Sequence, residues 1–173
     1  NRREDGWNMP ILKIVEESYS NKDAMLNVIN YICRGPFIGG LGVNPNCAAL
    51  QMSLVKYVWY KTGGRQVRHF IVSFAGNEST DPDELMAYGY AIANYYYEKG
   101  FQVVFGVHTN TGHLHIHFAV NTVNFRNGYM YGDGWSDAGL LRKYIQDLMP
   151  RWAVILRTEK SNRWRKTRQE IGI

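Results

Sequence analysis

The chain is poor in cysteine. Two residues, Cys33 and Cys47, among 173 are too few for a disulfide framework and too few for a cysteine-based zinc site, so both are read as reduced thiols. Long apolar runs are also missing: no stretch approaches the roughly 18 residues that a membrane-spanning helix needs. The opening NRREDGWN has no apolar segment of the kind a secretory signal carries. No membrane insertion and a cytoplasmic setting are therefore expected. No internal repeat, low-complexity tract or linker breaks the sequence, and one domain is expected over residues 1–173, with residues 1–9 read as a leader or tag remnant and 158–173 as a basic tail. Acid is scarcer than base: 15 Asp and Glu stand against 20 Lys and Arg, a net charge of +5, which favours an anionic partner and nucleic acid first.

What is present suits a packed domain. With 45% hydrophobic residues, a chain of this length can bury roughly 70% of its unfolded surface. PILKIVE (10–16) alternates and reads as a strand. SNKDAMLNVINYICRG (20–35) reads as a helix capped by Ser20 or Asn21 and ended by Gly35-Pro36. GPFIGGLGVNPN is rich in Gly, Pro and Asn and reads as a loop. A second helix is expected from Ala48 to Tyr60, then a strand in RQVRHFIVSFAG. TDPDELMAYGYAIANYYYEKG has a capping Thr80 or Asp81, acids in its first turn and a closing glycine, the signs of a helix. FQVVFGVH and HLHIHFAVNTVN follow as strands and NGYMYG as a short one, then a helix from Ser136 to about Met149 and an edge strand in RWAVILRT. Adjacent strands mixed with helices predict an α+β fold with a central, largely antiparallel sheet flanked by helices.

Four of the five histidines lie in HTNTGHLHIHFAVN, residues 108–121. Side chains of a strand alternate between faces. His113, His115 and His117 therefore share one face, while Leu114, Ile116, Phe118 and Val120 share the other. TNTG has turn chemistry, and a hairpin with a four-residue loop would set His108 opposite His113 and add it to the same face. Imidazoles side by side repel when charged and bury poorly when neutral. A divalent cation resolves both problems, and three ligands leave open positions, as in catalytic rather than structural sites. Parity admits His113 as readily as His115 and His117. His69 opens a strand and is read as a hydrogen-bonded structural residue.

These residues resemble a known family. HTNTGHLHIHFAVN is similar to the third motif of the MOBP-type conjugative relaxases, members of the His-hydrophobe-His (HUH) endonuclease superfamily. MLNVINYICRG resembles their first motif, and RHFIVSFAG, DPDELM and NGYMYGDGWSDAGLLRKYIQDL resemble the segments around them, so the likeness runs from about Pro10 to Leu148. It implies an HUH-endonuclease, relaxase-like fold in the N-terminal relaxase domain of such a protein. It puts the metal on His108, His115 and His117, the nucleophile on Tyr31, and ligand-orienting roles on Asn110 and Asn121. Two positions depart from the pattern: Asn110 stands where the family has Asp, and Leu114 where it has Pro. An Asn carbonyl accepts the same hydrogen bond as a carboxylate but brings no charge.

The activity implied is metal-assisted nicking of single-stranded DNA at an origin of transfer, through a covalent 5′-phosphotyrosine that is later rejoined, in a bacterial cytoplasm. By the same resemblance the ion in function would be Mg²⁺ or Mn²⁺. Three imidazoles suit Mn²⁺, Zn²⁺ or Ni²⁺ better than hard Mg²⁺. The implied partners are origin DNA, with a hairpin beside the nick, accessory relaxosome proteins and a coupling protein. Phosphate contacts are expected from Arg65, Arg68, Arg126, Arg142, Arg163, Arg165, Lys166 and Arg168. The alternatives are a rolling-circle replication initiator or single-strand transposase of the same superfamily, or a non-enzymatic nucleic-acid-binding domain held together by a metal. The first two often carry the tyrosine after the histidine motif, whereas here it precedes it.

Overall fold

The computed structural model describes residues 9–74, 81–109, 112–131 and 135–160. Among these, the chain forms β1 (Ile11–Glu16), α1 (Ala24–Ile32), β2 (Ile38–Leu41), α2 (Ala48–Val58), β3 (Val67–Ser73), α3 (Pro82–Tyr97), β4 (Val103–His108), β5 (His115–Asn121), α4 (Ala138–Leu148) and β6 (Ile155–Lys160). The six strands make one sheet in the order β2-β4-β5-β3-β1-β6. Every pairing is antiparallel except β1 with β6 at the edge, which is parallel. The fold is α+β with a largely antiparallel sheet and helices on both faces.

Alternation along the strands builds two cores. Phe70, Val72, Val103, Phe105, Val107, Ile116, Phe118 and Val120 point to one face, where α3 and α4 cover them with Leu85, Ile92, Leu141 and Ile145. Phe70 and Phe118, directly paired across β3 and β5, stack with centroids 4.5 Å apart. The other face packs Val67, Val104 and Ala119 under α1 and α2, which contribute Met25, Val28, Ile29, Ile32 and Met52. Burying one such aliphatic side chain is worth about 1.5–3 kcal/mol. These contacts, rather than the weak propensity of a helix as short as α1, hold it against the sheet.

Two sequence expectations change. The glycine-rich segment read as a loop contains β2, an edge strand on β4. A Cβ at Gly39 would meet the Phe105 ring at 2.5 Å, and one at Gly89 on α3 would meet it at 2.3 Å. Glycine here makes room for a large ring between strand and helix, a long-range fact that composition cannot carry. Among the described residues of NGYMYG, Met130 makes an isolated bridge to Val123 and no named strand forms.

Candidate metal and nucleophile site

The histidine face lies at one end of the sheet, on the side covered by α1. Two adjacent rows of paired residues run through it. One holds Ile11, Ser73, His115 and His108, and the next Lys13, Ile71, His117 and Gly106. The expected hairpin had His108 opposite His113; the observed register puts His108 opposite His115. The connection is two residues longer than the turn chemistry suggested. A shift of two keeps every side chain on its face, so the grouping survives the correction. His113 is exposed, and its contribution is a carbonyl oxygen toward His115.

Ligand nitrogens of His108, His115 and His117 all lie within 4.8 Å of one another. Two ligands sharing an ion through ~2.1 Å bonds stand at most about 4.2 Å apart, so the trio meets that limit or exceeds it by a few tenths of an ångström. Hydrogen bonds select the nitrogen that each ring presents. His108 donates from Nε2 to the Ile32 carbonyl at 3.0 Å, leaving the lone pair on Nδ1. His115 donates from Nδ1 to the His113 carbonyl at 2.9 Å, leaving it on Nε2. His117 Nδ1 lies 3.0 Å from Nε2 of His69, so Nε2 is the atom left to face an ion.

Burial lowers the pKa of all three, and that of His117 falls well below the imidazole range, with the neighbouring His69, His108, His115 and Lys13 adding to the effect. His69 is pushed down to about 3, by burial first and by His108 second. The rings are thus neutral near pH 7, each with a lone pair, and the donor set fits a borderline divalent cation.

Tyr31 sits in the last turn of α1, half-buried, its ring edge-on to both His108 and His117 at 5.2 Å between centroids. Two contacts bring it there. Asn21 accepts a hydrogen bond from the Asp23 amide at 2.8 Å and turns the chain into the helix. Gly106 lets the helix end touch the sheet, since a Cβ there would lie 2.0 Å from the Ile32 carbonyl oxygen. That same carbonyl receives the His108 proton, so the tyrosine's helix and β4 are joined at one atom. Burial raises the Tyr31 pKa, and Arg34, whose guanidinium lies 5.7 Å from the ring centroid, pulls it back down.

The remaining expected residues are placed as follows. Asn121 does not reach the histidines: at the opposite end of β5 it donates to the Met52 carbonyl and to Gln102, joining α2 to the approach to β4. Asn110 lies outside the described residues, as do Arg163, Arg165, Lys166 and Arg168. Arg68 is fully buried on the other face, paired with Asp137 at 2.9 Å, its guanidinium 4.1 Å and 3.9 Å from the ring centroids of Tyr131 and Trp135. It is a core cation and is withdrawn from the phosphate contacts. Arg65 precedes β3 and Arg126 follows β5, both at the end away from the histidines, and they donate to the carbonyls of Glu17 and Glu98. Arg142 is half-buried on α4 and donates to Val154.

The basic groups that do act on the site are Lys13 and Arg34, absent from the expected set. Arg34 follows Tyr31 by three residues, a helical spacing visible in the sequence. Lys13 reaches His117 only through the pairing of β1, β3 and β5, for which no local signal exists. His69, read as structural, touches His117 of the histidine cluster directly.

A family model described as relaxase, MobA/VirD2-like, nuclease domain matches residues 15–151. No curated protein and no solved structure matches the chain.

Proposed function

The chain belongs to the relaxase family, with a MobA/VirD2-like nuclease domain, and on that premise we propose that it nicks single-stranded DNA at an origin of transfer, with Tyr31 as nucleophile and a divalent cation on His108, His115 and His117. The observation that carries this reading is the contact of the Tyr31 ring with two of the three clustered histidines. A phenol on a helix and a cation site on two neighbouring strands need to meet at one phosphate, and these are side by side.

The Tyr31 oxygen attacks the scissile phosphorus and forms a phosphotyrosyl bond. The bond from phosphorus to the 3′ oxygen breaks, and that oxygen leaves with a proton as a 3′-hydroxyl. The phenol's own proton passes to solvent. No high-energy cofactor is needed for rejoining, because the 3′-hydroxyl reverses the exchange. Burial makes the phenol a weaker acid than usual, so its oxyanion needs nearby positive charge. Arg34 supplies part of it. The chemistry supplied by a divalent ion bound at the histidines is Lewis acidity toward a non-bridging phosphate oxygen and charge against the build-up in the pentavalent transition state. Lys13 and Arg34 flank the histidines and are suited to hold the strand's phosphates. Origin DNA, accessory relaxosome proteins and a coupling protein are the partners this reading implies. Among the described residues no helix is long and apolar enough to cross a membrane.

The test is incubation with Mn²⁺ and single-stranded origin DNA from the parent element, followed by denaturing electrophoresis and mass spectrometry of the adduct. The wild type should become linked through Tyr31 to the 5′ end of the fragment downstream of the nick, and the upstream fragment should carry a free 3′-hydroxyl. Tyr31→Phe should keep DNA binding and lose the adduct; an adduct of undiminished yield in that variant would assign the chemistry to another residue.

A further inference from the structure

His117 is the most deeply buried of the three clustered histidines, and it does not end its contacts at the cluster. Its Nδ1 lies 3.0 Å from Nε2 of His69, and Nδ1 of His69 lies 3.0 Å from the Tyr19 hydroxyl. The three side chains form one buried line from the cluster inward, with His69 wholly buried and Tyr19 and His117 nearly so. The His69 and His117 rings lie nearly parallel, 29° apart.

Tyr19 carries a second, independent sign. Its backbone φ is +44°, in the left-handed region that a bulky side chain rarely enters. Such a residue is out of place unless its surroundings over-determine it, and these positions concentrate where a side chain must be aimed. Here the Tyr19 carbonyl is held by the Gln66 amide at 2.9 Å, next to the start of β3, and the phenol is turned onto His69.

We propose that Tyr19 and His69 are positioning residues that set the tautomer of His117, holding its proton on Nδ1 so that the Nε2 lone pair faces the cation. The inference rests on the metal reading above. An imidazole that ligates through Nε2 must carry its proton on Nδ1, and that proton needs an acceptor. His69 Nε2 is the acceptor, which requires the His69 proton on Nδ1, donated to the Tyr19 oxygen. The Tyr19 proton then turns outward. The Glu17 charge raises the Tyr19 pKa, after the larger effect of burial, so the phenol keeps its proton. In the opposite polarity Tyr19 donates to His69, His69 donates to His117, and the His117 proton sits on Nε2, where it blocks a ligand bond. The line thus has two proton arrangements, and only one admits the cation. A neutral imidazole and a phenol do here what a carboxylate does in many metal sites.

The experiment joins two measurements. Long-range ¹H–¹⁵N NMR on the Zn²⁺-loaded wild type should find the His117 and His69 protons both on Nδ1; a His117 proton on Nε2 would overturn the proposal. Calorimetric Mn²⁺ titration should show His69→Leu binding about 10- to 100-fold more weakly. His69→Gln, whose carbonyl can accept the proton, should recover most of that loss, and Tyr19→Phe should lose less than His69→Leu. A folded His69→Leu with wild-type affinity would refute the role. Should His69→Leu not fold, Tyr19→Phe, which keeps the ring, decides the matter by the same NMR on metal-free protein: its His117 signal should show the Nε2–H form more populated than in metal-free wild type, and a spectrum unchanged from wild type would overturn the assignment. A wild type that binds neither ion would fail at the metal reading itself, a result distinct from equal binding by wild type and variants.

Discussion

Gly106→Ala tests whether the join between helix and sheet is what delivers the tyrosine. The added Cβ would sit 2.0 Å from the Ile32 carbonyl oxygen, and real contacts under 3.0 Å are essentially never seen, so something must move by about 1 Å. The obstacle is backbone at the end of a helix, not the tip of a flexible side chain. The easiest movement is therefore lifting of the last turn of α1, which carries Tyr31 and breaks the bond from His108 to Ile32. Overpacking of this kind is worth ~1–3 kcal/mol, or a melting temperature lower by about 2–12 °C for a domain of this size. The effect on rate should be larger than the effect on stability, since a 1 Å misplacement of a reacting group can reduce the rate by about 10²-fold. Adduct formation with single-stranded DNA at saturating substrate would be followed beside thermal melting and Mn²⁺ affinity. We expect a folded protein with a modest fall in stability, weaker metal binding and at least about 10²-fold slower adduct formation. A variant that melts with the wild type and forms adduct at the wild-type rate would show that the helix end has slack, and that its contact with β4 does not position Tyr31.

Three further outcomes are expected. His115→Ala should abolish metal-dependent nicking, while His113→Ala, which removes an exposed ring and leaves the carbonyl that His115 uses, should stay within a few-fold of wild type by the same adduct assay; equal losses would put His113 into the metal set. In the metal-free protein, stability should fall as pH drops below about 6.5. His69 and His117 are neutral in the fold and take up protons readily once unfolded, so the unfolded state binds more protons there, and each contributes roughly 1.4 kcal/mol of loss by pH 5.5. Urea melts at pH 7.5 and 5.5 in the presence of a chelator measure it, and equal midpoints would contradict the neutral cluster. Arg68→Met should destabilise the fold by about 3–5 kcal/mol, because Asp137 is left partly buried without its cation. Single-stranded DNA affinity of the folded fraction should be unchanged; a loss there would restore Arg68 to the DNA contacts.

The features legible in the sequence were those written within a few residues. Alternation along residues 115–121 placed His115 and His117 opposite Ile116 and Phe118, and β5 has that arrangement. The start of α3 was visible because Asp81 caps it directly, accepting from the Asp83 amide at 2.9 Å. The strand β2 was hidden, since Gly39 is there for Phe105, a residue on another strand. Arg68 was misread because an arginine near aromatic residues looks the same in sequence whether it waits for DNA or is sandwiched in the core between Tyr131 and Trp135. Asn121 was misplaced for a similar reason: it lies four residues from His117 along a strand, too far to touch it, and its partners come from α2 and Gln102.

By itself, the sequence determined most of the elements, the two faces of the histidine strand and a set of histidines from which a cation site could be drawn, because strand alternation and helix capping are local and repeat with the backbone. The tertiary structure alone decided the register that sets His108 against His115, the seat of Tyr31 beside the cluster, and the line from His117 through His69 to Tyr19. Those depend on which strands pair and how closely a helix can approach, and residues 48 and 50 positions apart come within hydrogen-bond reach only once the whole sheet has formed.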